Sequence, residues 1–555
     1  MSKLNFKTPF TFPYKPNKKF NKQVAYFSME FAIDQALKTY SGGLGFLAGS
    51  HMKSAYDLKQ NLIGIGVLWR KGYYDQVRQD NNCMGVQFRD KHYDFLQETN
   101  IKFTIKINNS NVWVTAYYLS PETFGTAPMF FLSTDLPEND YLAQTTTFHL
   151  YDANHNAKIA QTMVLGLGGA KLLDELNIAP DIYHFNEAHA LSSVFYLYEK
   201  FNDISVLKEK LRFTTHTPEE AGNEKHNIHQ LNEMSFFGNI PLEKVREITQ
   251  TYDDVFNHSL VALRLCKLAN GVSKLHGEVS REMWKGYNNL CSIIHITNAQ
   301  NKKYWADKTL NETINNKDID GFYNRKKELK KQLFKEVANQ CGKLFDENIL
   351  TIVWARRFAG YKRADLITQD LEHFLNIIHN QKYPVQIIFA GKPYPFDFAA
   401  IETFNQLVKL SETIKNMAVL TGYELELSAK LKKGADVWLN NPRVTREASG
   451  TSGMTAAMNG AINFSTNDGW VREFKDNFKN INAFVLPIIN TELPLEIQDT
   501  EDRENLYLTL ENEIVPLYYK TPKKWFDIVG NSANDVYPFF DSDRMATEYY
   551  EKLYK

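Results

Sequence analysis

The chain has 555 residues, with 64 basic and 65 acidic side chains and a formal net charge of −1. That balance removes any global electrostatic reason to bind nucleic acid or an anionic membrane. A content of 43% hydrophobic and 13% aromatic residues excludes disorder and supplies cores for two or three domains.

The opening "MSKLNFKTPFTFPYKPNKKF" is basic and aromatic but lacks the apolar core of a signal peptide. No apolar run approaches the roughly 20 residues needed to cross a bilayer. A soluble, cytoplasmic protein with no membrane partner is expected. Cys83, Cys266, Cys291 and Cys341 are scattered without a C-x-x-C pair. They read as reduced buried thiols, not as a disulfide framework or zinc site.

From residue 24 onward, short apolar runs alternate with polar or glycine loops and segments of helical spacing. "VAYFSM" precedes "YSGGLGFLAGSHMKSAYDLKQ", and "DIYHFNE" precedes "AHALSSVFYLYEKF". "RFTTHT" and "IIHITN" end in polar residues. The Lys- and Asn-rich stretch 311–332 reads as a solvated helical or loop surface. "LTIVW" (350–354) is followed by "ARRFAGYKR", and "VQIIFAG", "ADVWLNN" and "AINFST" supply further strands. Such β/α alternation in both halves predicts two doubly wound α/β domains.

Ligands of such sheets sit outside the carboxyl ends of the strands. The polar residues just after each apolar run are therefore the candidates. "YSGGLGFLAG" (40–49) carries Gly42, Gly43, Gly45 and Gly49, which serve either close packing or ligand approach. It fits neither the phosphate loop nor the dinucleotide fingerprint. "GLGGAK" (166–171) reads as helix packing. "HFNEAH" and "THTPEEAG" set His189 and His216 near carboxylates, including Glu187, without H-E-x-x-H spacing, so no metal is expected. "ARRFAGYKR" gathers Arg356, Arg357, Tyr361, Lys362 and Arg363 after a buried strand, a pattern suited to phosphate. In "EASGTSGMTAAMNG" (447–460), Glu447 can accept from sugar hydroxyls, and Ser449 to Gly453 leave a backbone open to a second phosphate or a sugar.

In order along the chain, "AYFSMEF", "SGGLGFLAG", "NEAHA", "FTTHTP", "NGVSKLHGEVS", "ARRFAGYKRA", "AGKPYP" and "EASGTSGM" followed by "NG" resemble the α-glucan phosphorylases, the glycogen and maltodextrin phosphorylase family. The resemblance is closest to the short bacterial form. It implies two Rossmann-like domains facing across a cleft (the GT-B arrangement), over 1–298 and 299–535, with a C-terminal helix over 536–555 crossing back to the first domain. It implies roles position by position. Gly43 and Leu44 resemble loop residues that meet phosphate and sugar. Glu187 and His189 resemble the pair lining the sugar cleft. His216 resembles the residue whose carbonyl faces the developing oxocarbenium ion. Asn298, Glu447, Ser449 and Gly450 resemble partners of the glucose. Arg356, Arg357, Lys362 and Thr451 resemble the cluster around the substrate phosphate and a second phosphate, with Tyr361 beside them. A homodimer and a glucan substrate are the partners implied.

One position departs. Thr455 stands where the family carries the lysine that forms an imine with pyridoxal phosphate. Three readings follow. The first is phosphorolysis or its reversal, with pyridoxal phosphate or another anion held without a covalent bond. The second is a retaining glycosyltransferase using a nucleotide-diphosphate sugar, and the third is a silent glucan-binding paralogue.

Overall fold

The computed structural model describes Phe6 and residues 9–555; part of the basic N-terminal stretch lies outside them. The chain forms two compact units. Unit 1 comprises residues up to Tyr74, Phe88–Asn298 and Ser542–Lys555, and unit 2 comprises Asp75–Gln87 and Ala299–Asp541.

Among the described residues, unit 1 is built on a nine-stranded sheet. Its strands are β1 (Val24–Phe27), β2 (Leu62–Val67), β3 (Gln97–Ile107), β4 (Ser110–Leu119), β5 (Met129–Ser133), β6 (Ile182–Asn186), β7 (Leu211–Thr214), β8 (Leu268–Gly271) and β9 (Ser292–His295). Their spatial order is β9-β8-β7-β6-β1-β2-β5-β4-β3. Pairing is parallel except for β3–β4 and β4–β5, which are antiparallel. The parallel strands β1, β2, β5 and β6 are buried along their whole length, as strands covered on both faces must be. The antiparallel edge differs: on β3, Thr99, Ile101, Phe103, Ile105 and Ile107 turn inward and alternate with exposed or half-exposed residues.

Helix α1 (Gly43–Asp57) follows β1. At Gly49 a Cβ would fall on the backbone carbonyl of Ala32, so only glycine lets the helix lie there. "GLGGAK" is packing as read, since Cβ atoms at Gly166 and Gly169 would collide with Ser192 and the Phe27 ring. The C-terminal stretch seals the same unit. Ser54 and Ser542 share a hydroxyl hydrogen bond of 2.6 Å, Gln60 donates to Ala546 O at 2.9 Å, and Tyr554 Oη meets His184 Nδ1 at 2.7 Å. The buried Arg212 donates from Nε to Leu553 O and from Nη2 to Lys555 O.

Unit 2 carries a six-stranded, all-parallel sheet: β10 (Leu350–Ala355), β11 (Val385–Ala390), β12 (Met417–Leu420), β13 (Val437–Asn440), β14 (Ile462–Ser465) and β15 (Ala483–Val485). The order is β12-β11-β10-β13-β14-β15. β10 pairs with β11 from Leu350↔Val385 to Ala355↔Ala390. Helices α2 (Ile319–Cys341), α3 (Leu425–Gly434) and α4 (Thr451–Ala457) belong to this unit. Leu333 and Val337 of α2 and Leu431 of α3 share a core with Val353, Ile388 and Trp438 of the sheet.

The stretch 311–332 corrects the sequence reading. Most of it is helical, and Lys326 and Lys330 are buried with Phe322 and Leu329. Their amines are satisfied internally. Lys326 donates to the carbonyls of Lys433 and Asn459, and Lys330 pairs with Asp436 at 2.6 Å. The cysteines are free, but Cys266 alone among them is fully buried.

Candidate active site

Strand order reverses between β1 and β6 in unit 1 and between β10 and β13 in unit 2. The carboxyl ends of those strand pairs are where a doubly wound sheet offers a crevice. Most of the candidate residues collect at these two places, while Asn298 follows the edge strand β9.

In unit 1, the residue that organises the glycine loop is Glu30, three positions past β1 and buried. Its carboxylate accepts from Ser41 N (2.7 Å), Gly42 N (3.1 Å), Ser41 Oγ (2.9 Å) and Tyr151 Oη (2.7 Å). The loop is thus fixed by a side chain that the sequence reading quoted but did not single out. The glycines divide by purpose. Cβ atoms at Gly42 and Gly43 would meet nothing within 4 Å, whereas at Gly45 and Gly49 they would strike Tyr40 and Ala32. Gly42 and Gly43 therefore leave open space beside the loop, and Gly45 and Gly49 serve packing. Gly43 and Leu44 form the first turn of α1.

After β6, Glu187 adopts a φ of 66°, a costly conformation for a residue with a Cβ. Its Oε1 accepts from the backbone N–H of His216 and from Thr217 Oγ1 at 3.2 Å. Burial raises the Glu187 pKa to about 7, more than those hydrogen bonds lower it. His216 Nε2 lies 2.7 Å from Asn186 Oδ1, and Asn186 Nδ2 donates to Ser28 Oγ at 3.0 Å. Because the amide oxygen can only accept, His216 carries its proton on Nε2. Burial lowers its pKa to about 3, so the ring is neutral at pH 7. Burial also lowers the pKa of His189, which is half-buried beside Tyr151. Asn298 is buried with Oδ1 lacking a hydrogen-bond partner.

In unit 2 the loops after β10 and β13 meet at Glu447. A single oxygen, Oε2, receives Arg356 Nη2 at 2.6 Å and Lys362 Nζ at 3.0 Å. Burial alone would raise the Glu447 pKa, but the two cations overcome it and hold the group at about 2. Lys362 falls to about 7, first through burial and then through the charge of Arg356. The cluster thus has excess positive charge. Two nitrogens of Arg356, Nε and Nη1, are buried and lack partners, a costly arrangement that an anion would relieve. Tyr361 is half-buried next to Lys362, and Arg357 is exposed. Ser449 is buried with its hydroxyl unpartnered, and Gly450 takes a φ of 92°. Thr451 is the first residue of α4.

One residue of this region escaped the sequence reading, and another plays a different part from the one expected. Asp468 accepts from Glu447 N at 2.9 Å and from Gly469 N at 2.8 Å, fixing the backbone from which Glu447 projects. Burial raises its pKa to about 7. Arg363, read as a possible ligand contact, turns away. It pairs with Asp499 (2.9 Å) and Asp502 (2.7 Å) and donates to the carbonyls of Asn441 and Pro442. It anchors the loop.

A profile of the carbohydrate phosphorylases matches residues 258–507. A maltodextrin phosphorylase of Thermococcus litoralis is 32% identical, over 97% of this chain and 71% of its own length. A glycogen phosphorylase of Aquifex aeolicus is 30% identical, over 96% of this chain and 86% of its own length. The chain belongs to the carbohydrate phosphorylase family. Members of that family are glycosyltransferases, and this phosphorylase homologue is an enzyme of that class. An uncharacterized protein of Methanocaldococcus jannaschii is 45% identical, over 96% of this chain and all of its own length.

The family uses pyridoxal phosphate. The unpartnered N–H groups of Arg356 and the buried Ser449 hydroxyl suit its phosphate. Position 455 does not suit its aldehyde. Thr455 is wholly buried and donates its hydroxyl back to Ser452 O at 2.9 Å, and a hydroxyl forms no imine. Among the described residues, no His, Cys, Asp and Glu group could hold a metal ion, and no helix is long and apolar enough to cross a membrane.

Proposed function

We propose that the chain catalyses retaining α-glucosyl transfer of the α-glucan phosphorylase type, converting α-1,4-glucan and phosphate to and from glucose 1-phosphate. The observation that carries this reading is the buried Arg356, with two N–H groups unpartnered, beside Lys362 on Glu447. A glucan binder without chemistry has no use for that cluster.

In the forward direction the bond from C1 of the terminal glucose to the glycosidic oxygen breaks. A phosphate oxygen then bonds to C1 on the same face, and a proton passes to the departing glucan oxygen. Arg357 and Lys362 hold the reacting phosphate and Arg356 a second anion. Two singly charged phosphates about 5 Å apart repel by roughly 3 kcal/mol at an effective dielectric of 20, which the three cations offset. His216 presents its backbone carbonyl to the positive sugar centre, and Glu187, His189, Asn298, Glu447, Ser449 and Gly450 receive the sugar hydroxyls. Gly43, Leu44 and Thr451 let substrate and second anion approach the main chain, with Tyr361 alongside. Stabilisation of opposite charges by groups already in place supplies most of the rate. Pyridoxal phosphate, when bound, supplies the second phosphate and its proton. The GT-B arrangement, the division at 298/299 and 535/536, a cytoplasmic location and a homodimer belong to the same proposal.

A second reading, transfer from a nucleotide-diphosphate sugar, draws support from Thr455, because a diphosphate needs no amine. The deciding experiment is incubation of the purified chain with maltodextrin and phosphate, with and without pyridoxal phosphate, assaying glucose 1-phosphate. Product under either condition supports phosphorolysis. Absence of product in both, with transfer from a nucleotide-diphosphate glucose, replaces it with the second reading.

A further inference from the structure

The stretch "AGKPYP" (390–395) takes no direct part in the proposed reaction, yet its backbone lies against the arginine loop. Arg356 N donates to Ala390 O at 3.1 Å, and Phe358 N donates to Lys392 O at 3.3 Å. Between those bonds Gly391 takes a φ of 152°, and a Cβ there would fall 1.8 Å from the carbonyl oxygen of Arg356. Only glycine allows so close an approach. The turn after β12 bears on the same backbone. There the buried Tyr423 donates from Oη to Ala355 O at 3.4 Å. Lys392 and Glu424 pair at 2.9 Å and join the two turns.

One side chain spans both turns. The buried Gln76 lies on an antiparallel hairpin, Asp75–Arg78 with Met84–Gln87. That hairpin belongs to unit 2, although the chain on either side of it belongs to unit 1. Both ends of the Gln76 amide are used. Nε2 donates to Gly391 O at 3.0 Å, and Oε1 accepts from Gly422 N at 2.9 Å. The hairpin has other fastenings. Arg78 donates to Val419 O, Met84 N to Asn405 Oδ1 at 2.9 Å, and Asn82 Nδ2 to Glu412 Oε1 at 2.9 Å. What Gln76 adds to these is a fixed spacing between Gly391 and Gly422, whose neighbours hold Ala355 and Arg356.

We infer that Gln76 is a positioning residue for Arg356 and Arg357, setting the backbone from which both reach the anions. The inference rests on the phosphorylase reading above. Arg356 keeps Nε and Nη1 unpartnered, so its direction comes from Glu447 at one end and from its own backbone at the other. Without Gln76 the buried carbonyl of Gly391 loses its side-chain donor, and the turn that touches Arg356 O is free to shift. A displacement of about 1 Å at a reacting group can cost on the order of 100-fold in rate. Gln76 touches no substrate in this account. It acts through two glycines that the sequence places far from it.

The test compares Gln76→Met, which keeps most of the side-chain bulk and loses both hydrogen bonds, with Glu412→Ala, which removes only a distant fastening of the hairpin. Inorganic phosphate is titrated into each full-length protein by calorimetry. KM and kcat of phosphorolysis are then measured for phosphate and for maltodextrin. In Gln76→Met, phosphate affinity and kcat/KM for phosphate are expected to fall roughly 10-fold or more, with KM for maltodextrin unchanged. Glu412→Ala should match the unmutated chain. Hydrogen exchange on the unmutated chain decides the point even if Gln76→Met fails to fold. Phosphate should slow exchange in peptides over 75–87 and 420–424 as well as in the arginine loop. Full phosphate affinity in a folded Gln76→Met, equal losses for phosphate and maltodextrin, or protection confined to the arginine loop overturns the inference. Phosphorolysis that Gln76→Met leaves unchanged overturns it while the proposed function stands. Phosphate affinity lost in Gln76→Met, with no phosphorolysis by the unmutated chain, does the reverse. No phosphate binding by the unmutated chain overturns both.

Discussion

Glu187 and Glu447 both lie in loops that follow a strand at the point where its sheet reverses order, yet their chemistry is opposite. Burial raises Glu187 to about 7 despite its N–H and O–H donors. Glu447 faces two cations and falls to about 2. The loops of unit 1 form a largely neutral hydrogen-bonding surface, suited to hydroxyl groups. Those of unit 2 concentrate charge that an anion must balance. The topology supplies the place, and the side chains decide its chemistry, hydrogen bonding in unit 1 and charge in unit 2.

The contrast can be broken most severely at Glu447. Glu447→Gln leaves Arg356 and Lys362 buried without their counter-charge, and is expected to lower unfolding stability by about 3 kcal/mol in a urea titration. Added phosphate should restore part of that loss. The native carboxylate titrates below its unfolded value of 4.5, so its contribution is present above that pH and is lost as pH falls toward about 2.

Arg357→Ala removes an exposed cation, so the fold should survive. Phosphate-dependent turnover is expected to fall roughly 100- to 1000-fold, as for loss of one preorganised donor. Unchanged turnover would remove Arg357 from the reaction.

Glu187→Gln probes the neutral half. An acid raised from 4.5 to about 7 costs stability as pH climbs through that window, and costs nothing below it. The variant should flatten the decline in stability between those values, by on the order of 1 kcal/mol after solvent screening. Asp468, raised by burial from 3.8 to about 7, adds a decline over nearly the same range, which Glu187→Gln/Asp468→Asn should also remove.

The smallest stability effect is expected at Gly43→Ala. A Cβ there meets nothing, so the unfolding midpoint should shift by less than about 0.5 kcal/mol. The KM for glucan or phosphate should nevertheless rise, because the added methyl occupies the space kept for them. Equal damage to stability would mean that the loop is there for packing.

Much of the fold was legible in the sequence because fully buried parallel strands read as unbroken apolar runs, such as "LTIVW" and "VQIIFAG". The antiparallel edge formed by β3 and β4 was not, since its alternation of Thr, Lys and Ile resembles any exposed strand. Lys326 and Lys330 looked solvated because composition does not reveal that carbonyls and Asp436 wait for them in the interior. At the site, the residues proposed to touch ligand advertise themselves by charge or glycine. Residues that hold the site, such as Glu30, Asp468 and Arg363, act through contacts distant in sequence. A carboxylate three positions past a switch-point strand was the available signal for Glu30.

Arg212, His184 and Ser54 each gain a further partner when residues 542–555 arrive. On the ribosome, the first unit to emerge is therefore the last to be completed. Through the synthesis of almost the whole second unit it must wait with one flank uncovered, when proteins generally fold from the N-terminus onward. A segment distant in sequence thus completes the first unit's hydrogen bonding.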